Sequence, residues 1–372
     1  MKYYIISGEA SGDMHGANLV SELKQLQSGI EIRGWGGDKM AGEGVHITKH
    51  YKELAFMGFA EVLLNLKTIL GNFKTCKREI KEYQPDAVIL IDYPGFNLRM
   101  AEYIHSLNIP VFYYISPTVW AWKKNRVEKI KKYVDKLFVI LPFEKPFYKE
   151  CGYEVEFVGN PLLDEIEKFK STQSDSDFRS VHKLSAKPII ALLPGSRTQE
   201  IKTKLPLMLS VVEAFPSYQF VIGGAPSQDS KLYNELISDK KSVSLVFGET
   251  YPLLMNSHAG LITSGTATLE TALFRVPQVV CYRANSISYR IAKMLVKIKF
   301  ISLVNLIMDK EVVKELIQGE LTKKNLKEEL GSILEGKERN QILADYEALI
   351  QKLGGVGASK NTAQHIVNFM GN

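Results

Sequence analysis

DAVILIDYPGFN, residues 86–97, carries five apolar side chains without alternation, Ala87 to Ile91, straight into Asp92, and Pro94 and Gly95 then break the run. Such a run reads as a parallel strand buried on both faces, and the carboxyl edge of an open parallel sheet is where ligands bind. A carboxylate at that edge is placed to take a proton from a substrate hydroxyl. It is equally placed to cap the helix entered near Asn97, and position alone leaves both readings open. SGEASGDMHG, residues 7–16, closes the first strand with glycine and brings Glu9, Ser11 and Asp13 to a helix entrance, Ser11 as the expected N-cap and Asp13 as a first-turn acid. Glu9 and Asp92 then fall along one sheet edge, a carboxylate pair suited to acid–base work.

Two later turns suit an anion. In LLPGSR, residues 192–197, Gly195 and Ser196 let backbone amides approach a phosphate and Arg197 offers a forked cation, although an ordinary turn with a surface arginine reads the same way. In TSGTATLETAL, residues 263–273, Ser264, Gly265, Thr266, Ala267 and Thr268 open a helix whose amides and dipole favour a diphosphate. Glu270, one turn in, is either an acceptor for both ribose hydroxyls or an acid favoured by the same dipole. Two such turns in one domain point to a nucleoside diphosphate. No metal is expected: DSD at Asp175 to Asp177 has the aspartate spacing of metal-dependent sugar transferases but follows no strand. Nor do the seven histidines show ligand spacing.

The elements that must hold these residues alternate throughout. Strands are expected at KYYIISG, EIRGWGG, DAVILID, PVFYYIS, KLFVILP and EVEFVGN, and again at PIIALLP, YQFVIGG, SVSLVFG, HAGLITSG and PQVVCYR, with helical stretches between. The polar run from Asp164 to Lys187 separates the two series. The fold class expected is therefore α/β, two Rossmann-like doubly wound parallel-sheet domains facing a cleft, residues 1–165 and 186–345. After Asn305 the chain reads as helical and charged, and a last amphipathic segment, about 357–372, is expected to pack back on the first domain. With 372 residues, 45% hydrophobic and 24% charged, the chain is long enough for both cores, and disorder is not expected. The net charge of +6 is compatible with an anionic ligand or surface and carries no nucleic-acid motif with it. Three scattered cysteines read as reduced thiols. MKYYIISGEASGD runs straight into a strand and a glycine turn, so a signal peptide is not expected, and no apolar run reaches the length expected of a membrane span.

Two amphipathic stretches are core faces or membrane-contact faces. In the first, Met57 precedes Phe59, Val62, Leu63, Leu66, Ile69, Leu70 and Phe73 on one helical face, with Leu64 on the other and Lys67, Lys74, Lys77 and Arg78 interleaved or following. In the second, Ile287, Ile291, Met294, Leu295 and Ile298 lie beside Arg290, Lys293 and Lys297.

SGEASGD, ELAFMGFAEVL, LIDYPGFN, YISPTVWAWKKNRV, LPFEKPFY, FVGNP, LLPGSR, SGTATLE and SLVN occur in that order. Together they resemble the lipid-A-disaccharide synthases, inverting glycosyltransferases of the two-Rossmann-domain (GT-B) class. The resemblance implies transfer of 2,3-diacylglucosamine from UDP-2,3-diacylglucosamine to the 6-hydroxyl of 2,3-diacylglucosamine 1-phosphate, without a metal, at the cytoplasmic face of a Gram-negative inner membrane. It implies Asp92 as general base, with Glu9 beside it, and makes Arg197 and Asn305 residues required for activity. Ser11, Asp13, Asn97, Ser116, Trp120 and Trp122 lie in its motifs as substrate or cleft residues, and the segment Met57 to Phe73 becomes the acyl and membrane contact. The chain departs from the family pattern at Gly95, where an acid is common, at Asn160, where His is common, and at Val304, where Pro is common. Oligomeric state is not readable from spacing, and a homodimer through the carboxyl-terminal helices fits the pattern. Two alternatives share the nucleotide turns: a UDP-N-acetylglucosamine 2-epimerase acting on a soluble sugar, and a non-catalytic nucleotide-sugar-binding protein that docks on membranes.

Overall fold

The computed structural model describes residues 1–54, 66–122, 125–172, 178–237, 242–284 and 299–371. It divides into two compact units, Met1–Asp164 with Leu353–Asn372, and Glu165–Lys352. The division falls inside the helix Pro161–Thr172, at the start of the polar run.

In the first unit seven strands form one sheet: β1 (Lys2–Ser7), β2 (Glu31–Gly36), β3 (His46–His50), β4 (Ala87–Ile91), β5 (Val111–Tyr114), β6 (Lys136–Val139) and β7 (Glu156–Phe157). Their order is β3-β2-β1-β4-β5-β6-β7, every pairing parallel, with Ser7 opposite Ile91. The five residues of β4 are fully buried, as an unbroken apolar run requires when helices cover both faces. The helix Ala358–Gly371 belongs to this unit, with Ala363 and Ile366 in the same cluster as Leu19, Val20 and Leu23 of the helix Ala10–Leu26. Asp164 fixes the return of the chain by accepting from the amides of Gly357 and Ser359.

The second unit repeats the design with β8 (Ile189–Leu193), β9 (Gln219–Gly224), β10 (Val243–Phe247), β11 (Ser257–Thr263), β12 (Gln278–Tyr282) and β13 (Glu315–Ile317), ordered β10-β9-β8-β11-β12-β13 and all parallel. In both sheets the winding reverses beside the first strand, between β1 and β4 and between β8 and β11. Doubly wound folds open a ligand crevice at that switch point.

Two edge strands differ from expectation. β3 alternates half-exposed polar residues and lacks an apolar run, and β13 has three residues inside a stretch whose charges read as helical. Among the described residues no helix is long and apolar enough to cross a membrane. Met57, Phe59, Val62, Leu63 and Leu64, the second amphipathic stretch from Ile287 to Ile298, and Asp175 to Asp177 lie outside the described residues, and of Leu66 only the backbone is described. The helix Leu66–Tyr83 leaves Leu70 60% exposed. Phe73, expected on the membrane face, instead packs on the core, stacked on Phe96 with ring centroids 4.4 Å apart.

Candidate active site

At the switch point of the first unit, β1 ends at Ser7 and β4 at Ile91, side by side, so Glu9 and Asp92 leave the sheet at the same place. Glu9 is the N-cap of the helix Ala10–Leu26, its side chain exposed and making no cap bond. Ser11, expected as the cap, is an exposed residue of the first turn. Asp92 and Tyr93 stand in succession at positive φ, 43° and 48°, a conformation that L residues other than glycine, asparagine and aspartate rarely adopt. Strain of this kind costs on the order of 1 to 3 kcal/mol per residue and persists only where surroundings over-determine it. Here they do. The Asp92 carbonyl accepts from the Tyr113 hydroxyl at 2.6 Å and from Asn97 Nδ2 at 2.8 Å, and the Asp92 amide donates to the Tyr114 carbonyl at 3.0 Å. Gly8 lies under the Tyr93 ring, where a Cβ would stand 2.4 Å from the ring carbons. The backbone is clamped and the Asp92 side chain is left half-buried at the sheet edge. Burial raises its pKa to about 6, the nearby Glu9 carboxylate adds to the rise, and a bond from the Tyr93 amide opposes it.

The second unit carries its two turns at the matching place. Leu193 of β8 lies beside Ile262 of β11, so the chain leaves the paired strands through Gly195–Arg197 on one side and Ser264–Ala267 on the other. Gly195 has φ +118°, which its neighbours could not adopt without strain. Arg197 is exposed and is the N-cap of the helix Thr198–Leu209 without using its side chain as a cap. Gln228 braces this turn, donating to the Ser196 carbonyl at 2.9 Å and accepting from the Thr198 hydroxyl at 2.8 Å. Gly265 is the N-cap of the helix Thr266–Leu273, Gly265 and Thr266 are exposed, and Ser264 donates to the Ile301 carbonyl at 2.9 Å. Burial raises the pKa of Glu270, and a hydrogen bond from Tyr251 counters the rise.

Several expected site residues turn inward instead. Asp13 is buried and accepts from the amides of Gly37, Lys39 and Met40, so its carboxylate caps the short helix Asp38–Gly42 from within the fold. Asn97 is fully buried, tying together the carbonyls that end β1 and β4. Thr268 is fully buried, its hydroxyl on the Gly265 carbonyl. Ser116 is buried against the Tyr148 hydroxyl at 2.7 Å, and Trp120 stands edge-on to Phe143. The side chain of Trp122 lies outside the described residues. Asn305, expected to be catalytic, is wholly enclosed: Oδ1 accepts from the amides of Val312 and Val313, and Nδ2 donates to the Val313 carbonyl and to Glu315. Glu315 also accepts from the amides of Ile301 and Ser302, so Asn305 supports the turn on which Ser264 rests. The departures follow the same logic. Asn160 is buried and bonds the Ile140 carbonyl and the Leu162 amide, and Gly95 is exposed with open space where a Cβ would sit.

Spacing and motif did not single out Gln228 and Tyr113, which brace the Ser196 and Asp92 turns, or Lys204, buried on the helix Thr198–Leu209 with its ammonium on the Thr263 hydroxyl. Lys204 alone left a signal, a cation in the apolar stripe of Ile201, Leu205 and Met208.

A family model described as lipid-A-disaccharide synthetase matches residues 3–369. A lipid-A-disaccharide synthase of Syntrophus aciditrophicus is 39% identical over 96% of this chain and 95% of its own, and one of Myxococcus xanthus is 36% identical over 98% and 97%. Among solved structures, an S. aureus MnaA–UDP co-structure superposes with a TM-score of 0.71 at 13% identity, covering 100% of this chain and 97% of its own. The UDP-GlcNAc 2-epimerase of Neisseria meningitidis, bound to UDP-GlcNAc, gives 0.67 at 15% identity, covering 100% and 99%. At these identities the likeness to both structures shows the fold alone.

Proposed function

The chain belongs to the lipid-A-disaccharide synthetase family, and from that premise we propose how its own residues carry the glycosyl transfer. The activity is that of a lipid A glycosyltransferase, with a nucleotide sugar as donor and a lipid-bearing sugar phosphate as acceptor. In the proposed mechanism the second unit holds UDP, its diphosphate on the amides of the Gly195 and Gly265 turns and on Arg197, its ribose on Glu270. Charge grows on the β-phosphate as the bond to the sugar C1 breaks, so fixed amides and a guanidinium act most strongly at the transition state. Asp92 of the first unit takes the proton from the acceptor 6-hydroxyl as that oxygen attacks C1 from the face opposite the leaving UDP, which inverts the anomeric centre. The observation that carries the reading is the strained, clamped backbone that presents Asp92 beside Glu9 at a switch point.

Both substrates are diacyl sugars, and each methylene buried in a bilayer is worth about 0.8 kcal/mol, so the proposed enzyme works on the membrane surface without extracting them. An exposed Leu70 among exposed Lys67, Lys74, Lys77 and Arg78 supports that docking. UDP release from UDP-2,3-diacylglucosamine and the 1-phosphate acceptor, followed with and without chelator, tests the whole reading. It predicts turnover that chelator does not reduce and none with UDP-N-acetylglucosamine; epimerisation of the plain UDP-sugar would contradict it.

A further inference from the structure

Lys204 lies on the inward stripe of the helix Thr198–Leu209 and is only 3% exposed. Burying an ammonium is costly unless it is paired and hydrogen-bonded, and this one is only partly compensated. It donates to the Thr263 hydroxyl, a neutral acceptor, while the Glu200 carboxylate stands 3.9 Å away, beyond hydrogen-bond length. Burial lowers its pKa, and Glu200 and the buried Cys281 thiol of β12 counter the fall.

Its two neighbours define where it stands. Thr263 ends β11 and precedes Ser264 directly, and the Glu200 carboxylate packs over Gly195, where a Cβ would collide with it. The ammonium therefore sits at the ends of the paired strands β8 and β11, with Glu200 linking it to the Gly195 turn and Thr263 to the Ser264 turn. We propose that Lys204 is the inner cation of the diphosphate site, an inward counterpart to exposed Arg197 that draws the nucleotide's phosphates down between the two turns. A diphosphate would supply the negative charge that the site itself only partly provides. The proposal rests on the reading that the second unit binds UDP.

Calorimetry on the full chain with UDP, UMP and uridine tests it, using Lys204→Met and Lys204→Arg. Lys204→Met should weaken UDP binding about tenfold, as loss of a charged hydrogen bond does, weaken UMP less, and leave uridine within about twofold. Lys204→Arg, which keeps the charge, should retain the preference for UDP over uridine. Equal losses for UDP and uridine in Lys204→Met, or UDP binding unchanged, would overturn the proposal. A lowered melting temperature with the UDP preference intact would leave Lys204 a purely structural residue, and so also overturn it. Failure of the unaltered chain to bind UDP would instead sink the assignment of the nucleotide site.

Discussion

Asp92 is half-buried, beside a second carboxylate and on a backbone that resists relaxation, and the first two conditions hold its proton to about pH 6. A general base must be ionised to act, so kcat/KM should be low in acid, rise through pH 6 and level off above it. Glu9 contributes part of that elevation through its charge. Replacing Glu9 with Gln removes the repulsion, stabilises the Asp92 carboxylate and should shift the acidic limb of kcat/KM to lower pH. A limb that stays in place in Glu9→Gln would mean that another group controls it. Asn305 belongs to a different class. Its side-chain amide is bonded on both atoms inside the fold, which supports a positioning role through the turn that Glu315 and Ser302 build.

At the scale of elements, the helix Leu66–Tyr83 presents two unlike faces. Cys76 and Ile80 are fully buried, while Leu70 shares the exposed side with Lys67, Lys74, Lys77 and Arg78. A hydrophobe ringed by cations suits an anionic bilayer. Leu70→Ser should reduce sedimentation with anionic vesicles several-fold, by loss of apolar insertion, without lowering the melting temperature; unchanged sedimentation would remove this helix from the contact. The central strands were legible because burial on both faces demands unbroken apolar runs such as Ala87 to Ile91. The edge strands β3 and β13 were not, since an edge is short, polar and without that demand. The same limit applies to the site. Motif and spacing put Glu9 and Asp92 at one sheet edge, where the strand ends do lie side by side, but which way a polar side chain points depends on long-range packing. Asp13 and Asn97 have the residue types and places of ligand contacts, yet amides and carbonyls distant in sequence occupy their side chains.

On the scale of the whole molecule, one device is used twice. Each unit reverses its winding beside its first strand, and each reversal carries the residues assigned to chemistry: Glu9 with Asp92 in the first, the Gly195 and Ser264 turns in the second. In the proposed mechanism proton transfer belongs to one unit and nucleotide binding to the other, and a single substitution separates them. Asp92→Asn keeps the volume and the clamped backbone contacts while removing the basic oxygen. Measured side by side on that variant, UDP affinity should stay within about twofold of the unaltered chain while kcat falls by about 10²- to 10⁴-fold. A kcat within a few-fold of normal, or UDP affinity lost in step with it, would contradict the account.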